Sequence, residues 1–145
     1  MTKVWQKDYD VNKEIEKFTV GNDHILDKTL LKYYIMETIA HASMLKKIGI
    51  LKEDEFVKVK KELKNILDDK NFDIKQSDED VHTAVENYLT KKLGNLGKKI
   101  HTARSRNDQS NVDMRLYTKE KLFEIIDSLL KLAKTLLDFS QKNKN

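Results

Sequence analysis

Apolar positions recur along this chain with the 3.6-residue spacing of helices, and hardly anywhere with the alternation of strands. From Asn22 or Asp23, either of which can cap a helix, Leu26, Leu30 and Tyr33 form one stripe, and Leu31, Ile35, Thr38, Ala42 and Leu45 form another. That helix is predicted to run to Lys47 and stop at Gly49. After Ile50 and Leu51, the acidic run Glu53, Asp54, Glu55 suits a helix N-terminus, and Phe56, Val59, Leu63, Ile66 and Leu67 give the next helix its buried stripe. Residues 70–76 read as a loop with a brief extended turn at Phe72 to Ile74, and Ser77 with Asp80 resembles a capping box. Val81, Ala84, Val85, Tyr88 and Leu89 mark a third helix, ending near Leu93 with Gly94 just beyond. At the other end, Val4, Trp5, Tyr9, Val11, Ile15 and Phe18 suggest an arm laid over a body, helical from Val11 to Lys17.

From about Asn107 the pattern changes scale. Val112, Leu116, Phe123, Ile126, Leu130, Ala133 and Leu137 form one stripe, and Leu122, Ile125, Leu129, Leu132 and Leu136 form a second beside it. Two adjacent stripes describe a helix covered over a wide arc, as in a multi-helix bundle, and not over the narrow seam of a two-stranded coiled coil. The shorter helices cannot cover so much apolar surface. The chain is therefore expected to oligomerise or to be part of something longer. It divides into a compact helical module, 1–105, and the first long helix of a central bundle, 106–145.

Composition sharpens the fold class. There is no proline and there are only 4 glycines in 145 residues, whereas tight turns between strands consume both. The expectation is an all-α protein. With no cysteine, neither a disulfide framework nor a thiolate metal site can form, and a reducing, cytoplasmic setting is expected. No apolar run approaches the roughly 18 residues of a membrane span. The net charge of +4 comes from 28 basic and 24 acidic residues interspersed along the chain, a solvated helical surface and not a nucleic-acid face.

The chemistry concentrates between a loop, 94–106, and the start of the long helix. Arg104 and Arg106 flank Ser105, with Thr102 before them and Asn107, Asp108 and Gln109 after. Guanidinium forks take carboxylates bidentately, and hydroxyl, amide and backbone N–H donors at a helix N-terminus add directed hydrogen bonds. The string suits a dicarboxylate. It equally suits a basic loop whose arginines pair with neighbouring acidic helices. His82 follows Asp78, Glu79 and Asp80 and precedes Glu86 by one turn, which fits either a tuned imidazole or an exposed histidine at a helix start. His41, in an apolar helix, reads as a satisfied core histidine. The histidines at 24, 41, 82 and 101 do not fall at metal-ligand spacing, and no phosphate loop or nucleophile elbow occurs.

The run His101-Thr-Ala-Arg-Ser-Arg-Asn-Asp-Gln109, preceded by Gly94, Gly97 and Ile100 and followed by Asp113 and Leu116, resembles the signature of the argininosuccinate lyase family in the fumarase/aspartase superfamily. Asp78-Glu-Asp-Val-His-Thr-Ala84 with Glu86 and Leu89 resembles a second landmark, and Phe18 to His24 with Ile39-Ala-His-Ala42 resembles the N-terminal region in its archaeal-type form. The resemblance implies a helical homotetramer with active sites shared between subunits, cleaving argininosuccinate to arginine and fumarate without metal or organic cofactor. It places Thr102, Arg104, Ser105, Arg106 and Asn107 on substrate carboxylates and main-chain groups, His82 in the same site and Gln109 in support. The family's acid and base residues belong to segments absent from these 145 residues, so no catalytic residue is assigned and the chain alone is expected to be inactive. The alternative is a non-catalytic helical assembly module on the same scaffold. Departures from the family pattern fall at Tyr34, Glu37, Ser43, Ser110 and Asn111, at positions expected to meet packing partners.

Overall fold

A computed structural model describes residues 12–144, and among these every regular element is helical. Most of the expected N-terminal arm, including Val4, Trp5, Tyr9 and Val11, lies outside the described residues. Helix α1, Lys13–Val20, is capped by Asn12, whose side chain accepts from the Glu14 and Ile15 N–H groups.

The single helix expected from Asn22 to Lys47 is broken. A short α2, Asp23–Leu26, passes through a 3-10 turn, Asp27–Thr29, before α3 begins, Leu31–Lys47. The Asp27 carboxylate at the break accepts from the Val81 N–H (3.0 Å), a backbone donor at the start of another helix. Helix α3 ends as expected: Gly49 sits at φ 81°, and the Ile50 N–H reaches the Leu45 carbonyl at 2.9 Å, closing a Schellman motif.

Helix α4, Glu53–Asp68, follows the acidic run, with Glu55 reaching back to accept from the Lys52 N–H (2.8 Å). Helix α5, Val81–Leu93, is capped by Asp80, which accepts from the Thr83 N–H at 2.7 Å, while Ser77 lies in a 3-10 turn, Gln76–Asp78. The capping assignment thus moves from Ser77 to Asp80. Residues 70–75 form no strand; Phe72 stands edge-on to Tyr88 and Ile74 is buried.

Within the loop 94–106 lies a further short helix, α6, Asn95–Lys99. It presses so closely on α5 that a Cβ at Gly97 would stand 2.5 Å from the Leu89 carbonyl carbon. The core joins α3, α4 and α5 through Tyr34, Ile35, Leu45, Val59, Leu63, Ile66, Val85 and Leu89, with Leu51, Ile74 and Ile100 added from the connections.

Helix α7, Arg106–Lys142, is the long rod. Its first half packs on α3, where Tyr33 meets Tyr117 edge-on and Lys32 pairs with Glu120 at 2.7 Å. The only residues it buries completely are polar, Gln109 and Asp113. Beyond Lys121 every described residue is exposed, including Phe123, Ile126, Leu130 and Leu137 of one stripe and Leu122, Ile125, Leu129, Leu132 and Leu136 of the other.

Candidate functional site

The segment 100–109 hangs between two fixed points. Ile100 is sunk in the core, and Ser105 caps α7 through a reciprocal box: its Oγ accepts from the Asp108 N–H (3.2 Å), and its own N–H donates to Asp108 Oδ2 (2.8 Å). Between them Ala103 adopts φ 60°, a left-handed conformation unfavourable for a residue bearing a Cβ, and so turns the chain sharply. His41 on α3 pins this turn by donating from Nε2 to the Thr102 carbonyl (2.9 Å), and burial lowers its pKa, keeping the ring neutral.

The turn sends the two arginines in different directions. Arg104 goes inward, donating to Glu37 Oε1 at 2.7 Å and to the Ile100 carbonyl at 3.1 Å, with 5 % and 8 % of the Arg104 and Glu37 side chains exposed. Burial pushes the Glu37 carboxyl up, against the pull of Arg104. Arg106 lies at the mouth, about one-third exposed, donating to Gln109 Oε1 (3.0 Å) and Thr83 Oγ1 (3.1 Å) and pairing with Asp80 and Glu86, each at 3.4 Å. Both readings left open for this string bear on the result. Arg104 is drawn inside the fold by the single acid of α3, Glu37, and by the Ile100 carbonyl, whereas Arg106 retains an accessible edge beside exposed Ser105 and Asn107 at the α7 N-terminus.

Glu86 is the hub of the mouth. Its Oε1 accepts from Arg106 (3.4 Å) and Gln109 Nε2 (3.3 Å) and lies 3.0 Å from His101 Nδ1, with the Tyr34 hydroxyl donating from 3.5 Å. Gln109 is fully buried and also donates to the Tyr34 hydroxyl at 3.2 Å. Burial, aided by Glu86, pushes the Tyr34 phenol well up, so it stays protonated.

His82 is not the exposed helix-start histidine that its position allowed. It is buried, its ring edge-on to Tyr34 at 4.6 Å, with Nε2 2.9 Å from Asp113 Oδ2 and Nδ1 3.7 Å from Asp80 Oδ2. Burial works against the imidazolium, but the two carboxylates outweigh it and the pKa is raised. The expected i, i+4 partnership with Glu86 is not made, because Glu86 turns to Arg106 and His101. Asp80 is held down at about 2: burial opposes its charge, and His82 and Arg106 overcome that.

The structure therefore brings His82, Arg106 and Gln109 into one network with Asp80, Thr83 and Glu86, leaves Thr102, Ser105 and Asn107 at its rim, and sets Arg104 behind it. Sequence reasoning missed Asp113 as a partner of His82. The signal was available, since Asp113 is an acid interrupting the apolar positions one turn beyond Gln109. Tyr34 and Glu37 turn inward, so neither waits for an outside packing partner; Ser43 and Asn111 are exposed. Ser110 and Asn111 each bond to a carbonyl one turn back, at 3.1 and 2.9 Å. Among the described residues, no three histidine or acidic side chains are placed to hold a metal ion, and no helix is long and apolar enough to cross a membrane.

A helical module feeding one long helix, with a guanidinium at a capped helix start, defines a class that comparison makes explicit: residues 8–145 match the lyase family, and the chain belongs to it. Within that family it is similar to argininosuccinate lyases. The protein of that name from Thermotoga neapolitana is 47 % identical over 143 residues, which is 97 % of this chain and 36 % of the relative. Those from Bacteroides fragilis and Thermoanaerobacter sp. are 41 % and 43 % identical, over 99 % and 93 % of this chain and 33 % and 30 % of the relatives. The chain spans about a third of the length of the relatives it matches.

Proposed function

We propose that this chain is the N-terminal, substrate-holding part of an argininosuccinate lyase, working in the cytoplasm as a homo-oligomer. In that reaction a base removes the proton from the carbon beside a carboxylate, the C–N bond to the guanidino nitrogen breaks, and its electrons go to the nitrogen as the C=C bond of fumarate forms. Proton assistance at the nitrogen releases arginine. Arg106, Thr102, Ser105 and Asn107 take the substrate's carboxylates and main-chain groups. Arg104, Gln109 and His82 brace that wall. Fixed donors aimed at developing negative charge are the largest contribution a binding wall makes to such a step.

The observation that carries this reading is the position of Arg106. Its guanidinium stands about one-third exposed at a capped helix start, in a chain 47 % identical to an argininosuccinate lyase along almost its entire length. Oligomerisation is supported by the two uncovered apolar stripes of α7, since covering each leucine would contribute roughly 1.5–3 kcal/mol.

The test is a chimera in which these residues replace the matching part of the Thermotoga neapolitana relative, with fumarate release followed by ultraviolet absorbance. Turnover is expected, and Arg106→Ala should reduce it on the order of a hundredfold. A folded chimera without turnover, or one indifferent to Arg106→Ala, overturns the reading in favour of a non-catalytic assembly module. The 145-residue chain assayed alone should release no fumarate.

A further inference from the structure

Four side chains of alternating charge run from the core to the mouth of the site. Asp113, fully buried on α7, meets His82 at 2.9 Å; His82 stands 3.7 Å from Asp80; Asp80 stands 3.4 Å from Arg106. We infer that Asp113 is a positioning residue, holding the His82 ring in one orientation with its Nε2–H directed into the core, and through that ring fixing Asp80 and Arg106 at the mouth.

Three features support this. The first is the cost of the arrangement. A carboxylate with no exposure, one of whose oxygens has no hydrogen-bond partner, destabilises a fold unless a cation answers it, and among the described residues His82 is the only side chain hydrogen-bonded to it. The second is the ring's confinement. Tyr34 stands edge-on against it and Asp113 takes Nε2, so a flipped ring would lose the Asp113 hydrogen bond. The third is direction. Among the described residues Nδ1 has no hydrogen bond, and it faces Asp80, the same carboxylate that caps α5 through Thr83 and pairs with Arg106. A shift of the ring is thereby passed to the guanidinium.

The groups acting on this chain come from every neighbouring element. Tyr34, Glu37 and Arg104 act from α3 and its contact, Asp27 from the turn before α3, Asp80 from the α5 cap, and Asp113 and Arg106 from α7. The raised pKa of His82 agrees with a ring kept charged by its two carboxylates.

The inference deepens the lyase reading, and its first test is independent of it. In the 145-residue chain with 15N-labelled histidine, assigned by comparison with His82→Gln, the His82 Nε2–H should appear as a downfield, exchange-protected resonance, and the ring should titrate above an ordinary histidine. Asp113→Asn should remove that protection and lower the titration. An unprotected Nε2–H in the wild type overturns the inference even if Asp113→Asn does not fold, as does a folded Asp113→Asn that titrates unchanged. In an active chimera, Asp113→Asn should cost about 10- to 100-fold in kcat/KM and shift the pH profile, the scale expected of a residue that orients another. A chimera inactive before mutation counts against the lyase reading alone; an active one insensitive to Asp113→Asn counts against this inference alone.

Discussion

Arg104 and Glu37, distant in the chain, form an ion pair of 2.7 Å from which solvent is almost excluded. The pair ties the turn before α7 to the middle of α3. Removing one partner leaves an unanswered buried charge, so Glu37→Ala is expected to cost about 3–5 kcal/mol in urea unfolding. Replacing both together, as Glu37→Leu with Arg104→Met, should recover most of that loss. A single-variant cost below ~1 kcal/mol would show that solvent reaches the pair.

Gly97 lies where α6 crosses α5 at backbone contact, so Gly97→Ala should lower stability by about 1–3 kcal/mol through overpacking, seen as a reduced thermal midpoint. Gly94→Ala is a useful contrast. A Cβ there meets open space, and the cost comes from the backbone conformation alone, φ 61° and ψ −132°, about 1–3 kcal/mol.

His82 and Asp80 shape the pH dependence from opposite sides. Because the His82 pKa is raised on folding, its contribution is complete below the unfolded value and fades as pH rises through the folded one. Asp80 is depressed to about 2, so its contribution is present above the unfolded value, 3.8, and is lost as pH falls towards 2. The urea midpoint of wild type should therefore exceed that of His82→Gln by more at about pH 5.5 than at about pH 8.5. A gap that does not change with pH would mean that His82 is neutral in the fold.

The distal leucines of α7 provide a test of assembly. Light scattering should find the chain associated, and Leu129→Glu with Leu132→Glu should shift it to smaller species, because both side chains belong to the exposed stripe. A wild-type monomer would remove the support for oligomerisation.

Much of this fold is legible from periodicity, since α3, α4 and α5 each bury a stripe long enough to show its phase, and the two stripes of α7 run long enough to mark a helix although they stand exposed. The break before α3 is not, because Leu26 and Leu30 keep the helical phase through it. The break coincides with Asp27, whose carboxylate bonds to a backbone donor that sequence neighbours cannot reveal. Helix α6 is too short to show a period, and its glycine reads as a loop until its contact with α5 is seen. The site divides in the same way. A capped helix start bearing two arginines can be read from residue types, whereas the inward turn of Arg104 depends on Glu37, and the burial of His82 on Asp113, both partners far off in the chain. Pairings between buried charges depend on which helices meet.

Helix α7 has 37 residues, about 55 Å of rod, of which the module grips only the first part. An isolated helix of the length left over is marginal in water, because nucleation is costly and propagation adds little per residue. The rod therefore spans two cooperative regimes. Amides near Gln109 and Asp113 should exchange with deuterium only when the module itself opens, while those near Leu129 and Leu136 should exchange by fraying from the free end. Whatever covers the apolar stripes moves that boundary outward, so an exchange profile along α7 would show how far its neighbours reach.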